Sequence, residues 1–384
     1  MASAAEEWHQ RACARVLPLF VLGEALGAGT FGIVVHAQYQ GTSVALKCTD
    51  KSSTTGDPRW LHRVRTEARV LKKLEHPNII RCFGAVEDAA AVALVLSRED
   101  GQSMEKVVAE HGVMAEATAA PVVLQLARAL RHMHQRKIAH RDIKLDNLMY
   151  DAATGRVVLI DFGLALAVRT QGSRLDVKCG SAEYLAPELI DPRSKGYYGP
   201  AVDMWAVGVL AYVLLCAHFP FGRVQTKICR GSFDKAPLRH VGSAACEFIG
   251  STLVVDPNSV QKVNRCTSAD ACRHPWLSPH EAAVAALVPP IMPTDELCEA
   301  VRQAQAAVAE AELAGAEVAG AEVPQAVASA GAPIRSDAAD HDQVEAVEAD
   351  LDDGDEDVAG TGGTGATAQL LHVSLDDDDG ESEW

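Results

Sequence analysis

The apolar residues of this 384-residue chain change their period once, near Gly101. Before that point "FVLGEAL", "GIVVHAQY", "SVALKCT" and "AVALVLS" are short β-type runs, most of them parted by glycine-containing turns, and read as strands. One helical stretch interrupts them. "RVRTEARVLKKLE" carries Val64, Ala68, Leu71 and Leu74 at helical spacing and is stopped by His76-Pro77-Asn78. After Gly101 helices dominate, over residues 104–110, 117–135, 201–217 and 244–253. The pattern predicts an α+β fold of two lobes. Residues 1–18 form an extension, 19–96 a small β-rich lobe, 97–101 a connection, and 102–279 a larger helical lobe.

The remainder, residues 280–384, is different in kind. Residues 294–319 are rich in Ala and Glu and predict a helix ended by Pro324, read as a solvated linker, with docking on the body of the protein as the other reading. Acidic runs follow at 350–357 and 376–379, a composition unable to bury enough apolar surface to order itself, so disorder is expected there. Residues 295–384 hold 24 acidic and 2 basic side chains, and the rest 28 acidic and 33 basic, so the net charge of -17 belongs to the tail and the body is mildly basic. A mildly basic body suits a phosphate-bearing ligand.

The longest apolar run, residues 204–217, is too short to span a bilayer and reads as a buried helix. No membrane or nucleic-acid partner is expected. The N-terminus has Glu6 and Glu7 and no apolar signal core. The ten cysteines include no C-x-x-C pair, so reduced thiols in a cytoplasmic or nuclear setting are expected.

Four stretches carry chemistry. "GAGTFGIV" places glycines at 27, 29 and 32, which lets a strand-turn-strand fold close over a polyphosphate. A strand follows it, which argues against a Rossmann site, and no G-K-[ST] is present for a P-loop. "VALK" ends in Lys47, which in isolation reads as a surface strand-end lysine, but Glu67 on the following helix offers it a partner. "HRDIKLDN" lies between two apolar runs and has five residues able to carry charge. In it an aspartate, Asp142, stands five residues before an amide, Asn147, with Lys144 between them. "LIDFGLA" sets Asp161 at the end of an apolar strand, where a carboxylate can bind the metal ion that bridges phosphates.

Taken in order, GAGTFGIV, VALK, Glu67, HRDIKLDN, the DFG of 161–163 and the APE of 186–188 resemble the protein kinase signature set across residues 19–279. The resemblance implies a bilobal kinase fold with a hinge at 97–101. It implies that Asp203 holds the HRD turn, that Arg265 pairs with Glu188, and that His140, Phe162 and Leu71 belong to a hydrophobic spine. Lys144 and "GSAEYLAPE" look like serine/threonine kinases, most similar to the calcium/calmodulin-dependent and AMP-activated group.

The implied cofactors are ATP and Mg²⁺, and the implied partners are proteins bearing Ser or Thr. Gly27, Ala28, Gly29, Thr30, Phe31 and Gly32 would cover the phosphates. Lys47, held by Glu67, would bind them. Val34, Ala45, Leu96 and Met149 would line the adenine slot, Asn147 and Asp161 would hold Mg²⁺, Asp142 would act as base, and Lys144 would steady the transferred group.

Several departures from the family pattern stand out. Val177 occupies the place of a phosphorylatable threonine, leaving Arg141 without its usual phosphate, and Asp176 is either a substitute partner or a carboxylate facing water. Eight residues separate Asp256 from Arg265, an insertion that a surface loop absorbs. Asp146 fits a preference for basic substrates, but Ser103 stands where relatives often place a second acid. Cys179 reads as a packing residue rather than a redox switch. No calmodulin site is expected, because residues 280–320 are acidic; the tail suits a basic partner instead. A pseudokinase or scaffold acting through the tail is the alternative, and it would show itself by loss of Lys47, Asp142 or Asp161.

Overall fold

The period-2 runs form one antiparallel sheet in the order β1-β2-β3-β5-β4. Its strands are β1 (Val21–Gly29), β2 (Gly32–Tyr39), β3 (Thr42–Asp50), β4 (Cys82–Glu87) and β5 (Ala91–Ser97), with helix α1 (Pro58–Leu71) between β3 and β4. The computed structural model describes residues 20–29, 32–51, 58–168, 175, 177–192, 194, 196–222, 224–255, 265–287 and 295–313. The extension at 1–18, Thr30 and Phe31, Asp176, the insertion after Asp256 and the acidic tail lie outside them.

Strand alternation divides the sheet into two faces. Ile33, Val35, Ala37, Val44, Leu46, Ala93 and Val95 point to one side and form a separate core. Ala45, Val92, Leu94 and Leu96 point to the other and join the main core. Lys47 lies opposite Val34 of β2 and Leu94 of β5, so its side chain emerges on the main-core face, beneath the sheet. β2 and β3 approach closely at Gly32, where an added Cβ would collide with the Cys48 carbonyl oxygen.

The large lobe begins with β6 (Gln102–Ser103), α2 (Met104–His111), α3 (Glu116–Gln135) and β7 (Ile138–Ala139). It continues through β8 (Leu148–Asp151), β9 (Arg156–Leu159), β10 (Leu166–Ala167) and the single-turn α4 (Pro187–Ile190). Then come α5 (Gly199–Cys216), α6 (Gln225–Arg230), α7 (Ser243–Thr252), α8 (Ser268–Ala271) and α9 (Glu281–Ala286). Ser103 caps α2 by accepting the Lys106 N–H at 3.3 Å, which is the local reason for a hydroxyl there. Helix α5 starts earlier than the run read from the sequence and, at 18 residues, is long and apolar enough to cross a membrane, contrary to the length expected. Of that stretch, 94% is buried inside the protein, which agrees with the expected core helix.

Several findings depart from expectation. The Ala/Glu stretch forms α10 (Asp295–Leu313), and it is no solvated linker: Leu297 and Val301 are buried in the sheet's second core, against Val86 and Val95. Eight described cysteines are free, but Cys48 is disulfide-bonded, so the expectation of reduced thiols fails for this one.

Helix α1 stops at Leu71, earlier than His76, and a turn carries the chain through buried Leu74. His76 then accepts the Asn78 N–H on Nδ1 at 3.1 Å. The buried Asn78 amide donates to Gln125 at 2.9 Å and to the Val157 carbonyl at 2.8 Å, tying the small lobe to the large. Burial, with His132 and nearby arginines, pulls the His76 pKa down to about 4.

An unfolded chain protonates this imidazole near pH 6.5, before the folded one does. Stability is therefore flat above that point and falls as pH drops toward 4, by about 3 kcal/mol at most from this group. His76→Asn, which keeps an acceptor but cannot titrate, is expected to flatten this part of the Tm–pH curve. Parallel curves for both proteins would rule His76 out.

Candidate active site

Three charged side chains from three elements meet under the sheet. The Lys47 ammonium donates to Glu67 Oε1 at 2.8 Å and Oε2 at 3.0 Å, and to Asp161 Oδ1 at 3.0 Å. Helix α1 turns Glu67 inward because Val64, Ala68 and Leu71, spaced around it, are all buried. Only 3% of the Glu67 side chain is exposed, so it needs a counter-charge, and it also accepts the Phe162 N–H at 3.4 Å. Burial alone would lower the Lys47 pKa, but the Glu67 and Asp161 carboxylates more than reverse this and hold it raised. The ammonium beside Asp161 brings that carboxyl down to about 2, so it is ionised at neutral pH.

Asp161 adopts φ +56°, in the left-handed region. Asp tolerates this better than most residues, and the Gly163 N–H on Oδ1 at 3.3 Å supports the turn. Phe162 is fully buried and meets the His140 ring edge-on, centroids 4.8 Å apart, in the core that also holds Leu71.

The turn at 140–147 is held from below. Buried Asp203 accepts the backbone N–H of His140 at 3.0 Å and of Arg141 at 2.8 Å, as well as His134 Nε2 at 2.8 Å. Above it, both oxygens of Asp142 are engaged. Asn147 Nδ2 donates to Oδ2 at 3.1 Å and to the Asp142 carbonyl at 2.8 Å, and Lys144 Nζ lies 3.5 Å from Oδ2. The Ser181 hydroxyl and N–H donate to Oδ1 at 2.9 and 3.2 Å. That last contact was not read from the sequence; the hydroxyl beside Gly180 was its one signal.

Arg141 has partners other than a phosphate. Its Nε donates to the Leu164 carbonyl at 2.7 Å and its Nη1 to the Tyr197 hydroxyl at 3.1 Å. That hydroxyl in turn donates to the Val177 carbonyl at 2.8 Å, so Tyr197 ties the HRD arginine to the loop. The Asp176 pairing lies outside the described residues. Cys179 sits 3.9 Å from the same hydroxyl, a packing position. Arg265 forks onto Glu188 at 2.9 and 3.2 Å and stacks over Trp205.

The remaining expected residues fall around this centre. Gly27, Ala28 and Gly29 end β1 and pair with Val34, Ile33 and Gly32 of β2, and a Cβ at Gly27 would meet open space. Ala45 lies opposite Leu96, and both share the main apolar cluster with Val34 and Met149.

The protein kinase domain profile matches residues 20–277. The serine/threonine-protein kinase RAD53 of Saccharomyces cerevisiae is 34% identical over 277 residues, 67% of this chain and 33% of that protein. Calcium/calmodulin-dependent protein kinase cmkA of Emericella nidulans is 34% identical over 282 residues, 71% of this chain and 66% of the relative. Human calcium/calmodulin-dependent protein kinase type 1B is 33% identical over 271 residues, 68% of this chain and 75% of the relative. The chain thus spans about a third of the yeast relative's length and most of the human one's. The chain belongs to the protein kinase family, and its relatives are serine/threonine kinases.

Proposed function

We propose that this chain transfers the γ-phosphoryl group of ATP to a protein serine or threonine. The observation that carries this reading is the convergence of Lys47, Glu67 and Asp161 within 3.0 Å, from positions up to 114 residues apart. A partly buried lysine held against two carboxylates, one buried and one half-exposed, is a poor choice for stability alone, and it suits a site where phosphate oxygens arrive.

Phosphoryl transfer asks a protein mainly for positioning and charge stabilisation. The β1–β2 glycines lie over the phosphates, and Lys47 binds them. Asp142 orients the substrate hydroxyl and accepts its proton at a carboxylate oxygen, while Lys144 steadies the group in transit. Val34, Ala45, Leu96 and Met149 hold the adenine.

The donor set fits Mg²⁺. Asp161 is ionised and its side chain half-exposed. The Asn147 amide nitrogen is committed to Asp142, which leaves its carbonyl oxygen for a cation. One carboxylate and one amide oxygen, completed by phosphates and water, is a usual magnesium arrangement. When bound, Mg²⁺ neutralises charge on the phosphates.

The test is incubation of the purified chain with Mg-ATP and a degenerate peptide library. Label is expected on serine or threonine; label confined to tyrosine, or absent, would overturn the proposal. A further expectation concerns the loop. Tyr197 already connects Arg141 to Val177, so phosphatase treatment is expected to leave activity intact. Lost activity would point to Thr170, Ser173 or Ser181 as a required phosphosite.

A further inference from the structure

Helix α10 lies beyond the matched kinase domain, yet it completes the small lobe. Its buried residues Leu297, Ala300 and Val301, with Ala304 and Val308, recur at helical spacing and close the second core of the sheet. β4 is shaped to receive it. Gly84 takes φ +152° at an irregularity in the β4–β5 register, and a Cβ there would come within 2.7 Å of Val301 Cγ1. β4 is also an edge strand, and α10 supplies what the edge lacks. Gln305 Oε1 accepts the Glu87 N–H at 2.6 Å, and Gln305 Nε2 donates to the Glu87 carbonyl at 3.3 Å.

Glu87 is more than an edge residue. Its carboxylate receives Arg65 at 2.6 and 3.1 Å and Lys51 at 2.7 Å. Arg65 stands on α1 two residues before Glu67, the partner of Lys47. An unbroken path of contacts thus runs from α10 through Glu87 and Arg65 to the helix that presents Glu67.

The apolar face that α10 covers is opposite the one from which Lys47 emerges. The docked helix coexists with a formed Lys47–Glu67 pair.

We propose that α10 is an activating strap in cis: by covering the outer face of the sheet and clasping Glu87, it sets α1, and with it Glu67 and Lys47, in the position that transfer requires. Gln305 and Val301 are positioning residues on this account. The inference deepens the kinase reading and rests on it.

The test uses the full chain, with Gln305→Ala, which breaks the clasp, and Val301→Asp, which undocks the helix. Activity of the unsubstituted chain comes first: if that is absent, the kinase reading fails and not this one. Given an active parent, Val301→Asp is expected to lower kcat roughly tenfold, within the range of coupling carried through packed networks, with peptide KM little changed. Gln305→Ala falls between the two. A synthetic peptide of residues 295–313 added in trans is expected to restore Val301→Asp, a rescue that an unfolded lobe would not show. Hydrogen exchange in residues 60–71 should rise while residues 199–216 stay protected. Unchanged kcat in both variants, or an increase, which would make α10 inhibitory, would overturn the proposal. So would a fall in kcat without rescue and with residues 199–216 exchanging freely, since that is general unfolding.

Discussion

Replacing Asp142 with Asn is expected to remove turnover by about 10²–10⁴-fold, the range for loss of a positioned general base, while ATP affinity stays close to that of the parent. Asp142 reaches neither Lys47 nor Asp161, so the proposed nucleotide contacts are left standing. The fold should survive as well. The Asp142 side chain is largely covered and tethered by Ser181 and Asn147. An amide of the same shape keeps one acceptor oxygen for Asn147 and turns its NH2 to the Ser181 hydroxyl oxygen, which can accept. Steady-state kcat, ATP affinity and Tm of the two proteins check this together. Parental turnover in Asp142→Asn would remove the aspartate from the mechanism.

Lys47→Met is expected to abolish activity for two separable reasons. The cation that would hold the phosphates is gone. Glu67 is also left as a buried carboxylate without its ammonium, which costs about 3–5 kcal/mol when one partner of such a pair is removed. Tm should therefore drop with Lys47→Met, in contrast to Asp142→Asn. Pairing it with Glu67→Leu removes the stranded charge, so most of the lost stability should return while transfer stays absent. Recovery of transfer in the double variant would show that Lys47 served the fold and not the chemistry.

Most of the site was legible because its parts are strongly typed. The period-2 runs put Lys47 on a strand, the helical spacing of Val64, Ala68 and Leu71 put Glu67 on an inward face, and the apolar run before Asp161 put it at a strand end. What could not be read were contacts whose partners carry no local signature. Tyr197 reaches Arg141 across 56 residues with nothing in either stretch to announce it. β4 was missed because its six residues are interrupted at Gly84, which breaks the alternation. The docking of α10 has no signature in its own sequence, because a stripe of Leu, Val and Ala among Glu and Gln looks the same whether it meets solvent or a sheet. Only Gly84 and the Glu87 backbone decide it, and both lie on another element.

The measurement closest to the central claim is a single turnover. The chain is loaded with ATP labelled in the γ-phosphoryl group, in the presence of Mg²⁺, and mixed with excess of a serine- or threonine-containing peptide chosen from the library. The account predicts label on the peptide hydroxyl, none when the divalent cation is chelated first, and bound but untransferred nucleotide in Asp142→Asn. A parent chain that binds Mg-ATP and leaves its γ-phosphoryl in place would contradict it, and the protein would be a nucleotide-binding scaffold.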